Sequence, residues 1–287
     1  MKRCLRCSAA ISADEWSCPQ CSWKPAAEKG IVILAPELVD EPVSGDDALA
    51  YLTEYDSVSF WFRARAELIT WAMARYFPSC KSFLELGCGT GYVADFLGRR
   101  FTGLEVVAAD ASMAALKVAR ERHGCNSLYQ LDAGMLPFDS EFDVIGAFDL
   151  IEHIGDDRRA LAEMRRALKS DGGVIITVPQ HRWLWSKVDE YAHHHRRYTR
   201  AGLTAMLEAE GFRVVRATAF MMTILPAIAA RRFLGRSDGE AELAREFAWS
   251  ARVVRLLGAA MAAERSIIRM GANLPIGGSL LVVAKAA

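Results

Sequence analysis

Along most of this chain, short apolar runs alternate with stretches of helical spacing. The clearest run, Phe83-Leu84-Glu85-Leu86, has strand length and stops at three glycines spaced two apart, Gly87, Gly89 and Gly91. Helix-compatible residues follow at once in Tyr92-Val93-Ala94-Asp95-Phe96-Leu97. The pattern then predicts strands over 104–109, 127–131, 142–148 and 173–178, with helices over 112–123 and 157–169 between them. Strand–helix alternation at this spacing predicts a doubly wound, mostly parallel α/β sheet. In such sheets a ligand lies beyond the carboxyl ends of the strands, so the residues there carry the interest.

The flanking segments read differently. Residues 48–77 are helical in pattern, with Phe60, Ala64, Leu68, Trp71 and Tyr76 sharing a face. The first expectation is a helix packed beside the sheet; the second has Phe60-Trp61-Phe62 closing over a ligand. Later come a helix over 199–210, a strand over 212–220, one or two amphipathic helices over 241–270 and a last strand over 280–284. Met221-Met222-Thr223-Ile224-Leu225-Pro226-Ala227-Ile228 is apolar and precedes Arg231-Arg232. It is too short to span a bilayer and is broken by Pro226. The plainer expectation is a buried pocket wall or an oligomer contact; the alternative is peripheral membrane contact through 219–234.

A chain of 287 residues has room for one sizeable α/β domain and a small appendage. Its 35 basic and 35 acidic residues cancel, which disfavours a nucleic-acid substrate. No apolar leader follows Met1-Lys2-Arg3-Cys4, and no window is apolar enough to span a bilayer, so the expectation is a cytoplasmic protein with reduced thiols. In that setting Cys4-x2-Cys7-x10-Cys18-x2-Cys21 reads as a closed, structural zinc site of four thiolates. A redox CxxC pair would instead open a helix, and neither pair does. The segment is too short for a core of its own, so metal supplies most of its folding energy. Cys80, Cys88 and Cys125 have no partner spacing and read as buried thiols. The expected organisation is a zinc ribbon over 1–24, a linker or extended strap over 25–50, a core over 51–220 and a C-terminal region over 221–287 whose last strand completes the sheet.

The glycine turn is a nucleotide-type site, where backbone approaches a ligand closely and offers free N–H groups at a helix start. Tyr92 stands where the dinucleotide fingerprint needs its last glycine. Behind the turn, Asp110, Asp132 and Asp149 end successive strands. One such acid is readily a cap or a turn residue; three in succession are harder to explain that way. Over about residues 80–180, these features resemble class I S-adenosylmethionine (SAM)-dependent methyltransferases. The resemblance implies a Rossmann-like fold. It assigns Glu85, Gly87, Cys88, Gly89 and Gly91 to SAM, Asp110 with Ala111 to its ribose, Asp132 with Ala133 to its adenine, and Asp149 to the cofactor as well. Asp149-Leu150-Ile151-Glu152-His153 also looks like the acid-x-x-Glu-His run of ubiquinone-biosynthesis O-methyltransferases, which is associated with a divalent metal. Two carboxylates and an imidazole suit Mg²⁺ poorly. The residues therefore favour polar contacts for Glu152 and His153, with His153 kept as a candidate base.

The connection over 179–198 is too long for a plain turn and reads as a lid. It carries four of the six histidines, His181, His193, His194 and His195, with Trp183, Trp185 and Tyr198. Indole walls for an apolar body and a neutral imidazole to take a proton suit a substrate pocket. The expected bases are His153, His181 and His195. The lid, the ribbon, the Phe-Trp-Phe helix and Gly277-Gly278-Ser279-Leu280-Leu281 together resemble a bacterial group of SAM methyltransferases, in which histidine is expected where this chain has Ser59. The activity expected is methyl transfer to the hydroxyl of a small aromatic or isoprenoid-like compound. Two rivals stand beside it. One is a ribosomal-RNA base methyltransferase, a class that also sets a zinc ribbon ahead of a SAM domain. The other is a non-enzymatic SAM-binding scaffold whose ribbon docks a protein partner.

Overall fold

The computed structural model describes residues 1–12, 16–38, 49, 53, 56, 59–234 and 251–287. Most of the helical expectation over 48–58, the linker beyond residue 38, the helix over 241–250 and the side chains of Arg231 and Arg232 lie outside the described residues. At the N-terminus β1 (Lys2–Arg3) and β2 (Ala10–Ile11) pair antiparallel. A hairpin of β3 (Ala26–Glu28) and β4 (Ile31–Ile33) follows, turned by Lys29 and Gly30 at positive φ. After α1 (Phe60–Tyr76) the expected alternation appears: β5 (Ser82–Leu86), α2 (Tyr92–Arg100), β6 (Glu105–Asp110), α3 (Met113–Ala119) and β7 (Ser127–Gln130). It continues with β8 (Phe142–Phe148), α4 (Asp157–Ala167) and β9 (Leu168–Pro179). A short α5 (Lys187–Tyr191) interrupts the lid, and α6 (Arg200–Ala209), β10 (Phe212–Phe220), α7 (Leu225–Leu234), α8 (Ala251–Arg269) and β11 (Ser279–Ala286) complete the chain.

One nine-stranded sheet runs in the order β10-β11-β9-β8-β5-β6-β7-β4-β3. Neighbours from β4 through β9 are parallel, while β3, β10 and β11 run antiparallel to theirs. Strand order reverses at β5, with β6 on one side and β8 on the other. The glycine turn therefore opens at the switch point, where the crossover helices diverge and leave a crevice. Two apolar cores cover the two faces. Side chains of α1, α2, α3 and α8 fill one, and those of α4 and α6 fill the other. Side-chain oxygens of Ser59, Ser112, Asp156, Ser186 and Thr199 cap their helices by accepting backbone N–H groups. At Ser59, where the resemblance expects histidine, the side chain is thus a helix cap.

The stretch expected as linker or strap is a strap as far as residue 38. Ile31 is fully buried and pairs in parallel register with Leu128. The Gln130 carboxamide accepts from the Ala35 N–H at 3.1 Å and donates to its carbonyl at 2.8 Å. This segment covers β7, which would otherwise present an unpaired edge.

The C-terminal turn is pinned from α8. Glu264, only 2% exposed, accepts from the backbone N–H groups of Met221 (2.5 Å) and Thr223 (2.8 Å) and from the Thr223 hydroxyl (3.0 Å). Glu264→Ala orphans two shielded donors and is expected to cost about 2–3 kcal/mol in urea denaturation, with Glu264→Gln much milder. A loss below about 0.5 kcal/mol, the size of an ordinary surface change, would show that the carboxylate does not hold the turn. Among the described residues, no helix is long and apolar enough to cross a membrane.

Candidate active site

The turn after β5 is built by glycine. Gly87, Gly89 and Gly91 all adopt positive φ (68°, 52° and 73°), a region costly for other residues. A Cβ on Gly89 would meet nothing within 4 Å, so this residue opens the turn toward the cavity it lines. Gly91 does something else. It is the N-cap of α2, and a Cβ there would lie 2.8 Å from the Ala119 methyl. It is not among the residues that line the cavity, and what the structure shows for it is helix packing.

A cavity of about 490 Å³ extends from this turn across the carboxyl ends of the strands. Glu85, Gly87, Cys88, Gly89, Asp110, Ala111, Asp132, Ala133, Asp149 and His153 line it, which covers every expected cofactor residue except Gly91 and one expected base. Each strand-end acid is locally held. Asp110 accepts from the N–H of Gly89 through one oxygen and of Ser112 through the other, both at 2.8 Å. Asp132 accepts from the Gly134 N–H at 2.7 Å. One oxygen of Glu85 is buried without a partner. Burial pushes the Glu85 carboxyl up to about 8, against the pull of the Arg65 guanidinium. A half-satisfied acid at a strand end is suited to a cationic group of a ligand.

Arg65 is the residue that sequence reasoning missed. It sits on α1, about 10% exposed, with its guanidinium paired to Asp149 and stacked 4.5 Å from the Trp61 ring centroid and 5.3 Å from that of Phe62. Asp149 itself has φ 53° and also accepts from the Thr177 hydroxyl at 3.2 Å. Phe60, Trp61, Phe62 and Tyr92 line the cavity, so α1 both packs beside the sheet, as first expected, and presents aromatics to the ligand space, as the second expectation requires. Asp56 adds a latch: its carboxylate accepts from the Thr90 hydroxyl and from Arg122, each at 2.5 Å. Met221, Ile224, Ala227 and Ile228 form an apolar arm of the same cavity with Leu257.

The lid places its histidines differently from the expectation. His181 stacks on Trp183 (5.6 Å between centroids) and His195 is exposed; neither lines the cavity. What His195 contributes is its backbone N–H, donated to the Glu152 carbonyl at 2.8 Å. Trp183 and Trp185 also stand outside the cavity wall, and Leu184, Val188 and Tyr191 take the place expected for the indoles. His193 and His194 do line it. The His194 ring meets that of His153 edge-on at 4.7 Å, and its Nδ1 lies 2.9 Å from the buried Asp189 carboxylate. Asp189 also accepts from Arg197 Nε at 2.7 Å and, through its other oxygen, from the Ser186 N–H at 2.9 Å. Burial, reinforced by His194, pushes His153 down to about 4, so it is neutral.

Donor atoms of Glu152, His153 and His194 lie within 4.8 Å of one another. Burial first, and Asp149 next, raise the Glu152 carboxyl well above the usual range, against the pull of Arg65. The Arg65 cation near this carboxyl disfavours a divalent ion there. The cysteines are different. Cys4, Cys7, Cys18 and Cys21 bring their sulfurs within 4.8 Å, at 3.6 Å for Cys4–Cys21 and 3.5 Å for Cys7–Cys18. Edges near this length belong to a tetrahedron with metal–sulfur bonds of about 2.3 Å. Each pair turns on a serine at positive φ, Ser8 and Ser22, as two copies of one knuckle.

A glycine turn at the switch point, acids on three successive strand ends and a roofed crevice define a class I SAM-dependent methyltransferase. The chain belongs to the methyltransferase-domain family, whose model matches residues 55–217. A Mycobacterium tuberculosis protein named as a probable S-adenosylmethionine-dependent methyltransferase is 30% identical over 131 residues, 45% of this chain and 46% of that one. A malonyl-[acyl-carrier protein] O-methyltransferase of Salmonella typhimurium is 33% identical over 133 residues, 44% and 51% of the two chains. The chain spans about half the length of these relatives. Among solved structures, the methyltransferase in complex with the Haloferax volcanii Trm112 activator shares the fold, with TM-score 0.56 and 21% identity over 84% of this chain and 95% of the other.

Proposed function

We propose that this chain transfers the methyl group of SAM to a hydroxyl of a small aromatic or isoprenoid-like compound. One observation carries the reading: the cavity joins the polar row Glu85, Asp110 and Asp132 to an apolar arm of Phe60, Trp61, Met221 and Ile224. SAM supplies a methyl already activated on a sulfonium. The chain's residues then have to hold donor and acceptor in line and exclude water, which contributes roughly 7–11 kcal/mol where alignment is good. Glu85 faces the cofactor's cationic end, Asp110 its ribose and Asp132 its adenine, and the apolar arm takes the body of the acceptor. A relative named as an O-methyltransferase fits oxygen as the accepting atom. The four cysteines hold a structural Zn²⁺, for which their sulfur spacing is suited.

Incubating the chain with methyl-labelled SAM and fractionated cell extract tests this. Label is expected in the lipid-soluble small-molecule fraction. Label in RNA would replace the reading with a nucleic-acid methyltransferase, and tight SAM binding with no labelled product at all would favour the scaffold.

A linked effect should appear at Glu85. Below pH 8 the free chain keeps its proton, and a bound cation favours the carboxylate, so SAM binding releases up to one proton at pH 7. Affinity then rises with pH toward 8, by at most about tenfold per unit. Calorimetry in buffers of different ionisation enthalpy reads the proton directly. Equal release from Glu85→Gln would assign it to another group.

A further inference from the structure

We propose that His194, held by Asp189, is the base that takes the acceptor's proton. The proposal rests on the methyl-transfer reading above and departs from the histidines expected from sequence. Four histidines occupy the lid region and two precede it, yet only His153, His193 and His194 line the cavity. His193 is exposed. His153 is tied to the Ala192 carbonyl and held down to about 4 by burial, far from the pH at which a base works best.

His194 alone has a carboxylate behind it. Asp189 is fully buried and Arg197 bonds the same oxygen, so the carboxylate accepts and the His194 Nδ1 carries the hydrogen. That leaves Nε2 as the accepting nitrogen of a ring that lines the cavity. The ring position is over-determined: the His194 N–H donates to the Asp189 carbonyl at 2.9 Å, and Ser186 with Asp189 forms a capping box on α5. Asp189 is a positioning residue. It sets the tautomer and stabilises the imidazolium only as that charge develops, and this preference for the transition state is what accelerates a reaction.

The step balances. The hydroxyl oxygen forms a bond to the methyl carbon, the carbon–sulfur bond breaks, and its electron pair returns to sulfur to leave a neutral thioether. The hydroxyl proton passes to Nε2 of His194.

Two measurements on the full chain test this. Nitrogen-15 NMR of labelled histidines, with S-adenosylhomocysteine bound, should show His194 protonated on Nδ1. In Asp189→Asn the ring loses the carboxylate that fixes its hydrogen, and the share of His194 protonated on Nδ1 should fall. Kinetics with a panel of long-chain alkylphenols should show kcat reduced on the order of 10²–10⁴-fold in His194→Gln, with KM for SAM unchanged. Asp189→Asn should lose at least tenfold in kcat in the same pattern. Turnover that survives His194→Gln overturns the assignment, as does an Nε2-protonated ring in the wild-type chain. Broadening of the His194 signal by stoichiometric Mn²⁺ would make the ring a metal ligand and overturn it too. No turnover of the alkylphenols or of extract by the wild-type chain would sink the methyl-transfer reading and His194's role with it.

Discussion

Replacing Arg65 with alanine is expected to lower stability by about 3–5 kcal/mol, because it strands the Asp149 carboxylate that was folded against its charge. Asp149 loses its ion pair, and the downward pull of Arg65 on the buried Glu85 and Glu152 carboxyls is removed. The same side chain packs against Trp61 and Phe62, so apolar contact is lost with the charge. Arg65→Lys should recover only part, since an ammonium lacks the planar fork and stacks less well on indole. Denaturant midpoints measure the loss, and SAM titration shows whether the cofactor wall survives. If Arg65→Ala unfolds within about 1 kcal/mol of the wild type, in the range of an exposed ion pair, the guanidinium is not what organises these acids.

With Zn²⁺ bound to the four cysteines as proposed, removing it is expected to reach the cofactor site by a traceable route. The ribbon is docked on the loop that follows Asp132 and Ala133. Arg3 N–H donates to the Pro137 carbonyl at 2.6 Å, Asp139 N–H donates to Met1 at 2.8 Å, and Lys2 bridges Phe138. Trp16 packs against Tyr129 (5.6 Å) and Phe138 (6.3 Å). Among the described residues the ribbon's own fully buried core is Cys4, Ile11 and Cys18, so a metal on the four cysteines would supply most of its folding energy. Chelation should therefore red-shift Trp16 emission and weaken SAM binding by roughly tenfold, as expected from losing one or two loop hydrogen bonds. Added Zn²⁺ should restore both. An unchanged Trp16 environment after complete metal removal would show that the ribbon stands without the ion.

Much of the architecture was legible from local pattern. The parallel strands read clearly because buried strands are continuous apolar runs, as in Val174-Ile175-Ile176-Thr177-Val178. Gly87 and Gly89 were legible for a different reason: only glycine takes positive φ cheaply, so a glycine turn declares its backbone. Three-residue strands such as β3 and β4 are too short to show a period, and 26–38 accordingly read as a linker or extended strap with no strand placed in it. Element ends also shifted, with α3 stopping at Ala119 and α4 at Ala167.

Side-chain direction was the larger gap. Arg65 looks in sequence like any solvated helix charge, and only the lie of α1 across the strand ends turns it onto Asp149. His193, His194 and His195 are indistinguishable as letters. The backbone at His193 (φ 54°) and the carboxylate of Asp189 decide that His194 faces the cavity while His195 points to solvent.

The residue order alone therefore determined the sheet class, the glycine turn, the acids at the strand ends and the cysteine spacing. Each depends on neighbours within a few residues, where backbone preference and periodicity act. Which acid is paired, which histidine is oriented and what walls the acceptor space were decided only by folding. Those contacts join α1, the lid and the C-terminal turn, segments up to 160 residues apart as in Trp61 to Met221. No local propensity encodes such a distance.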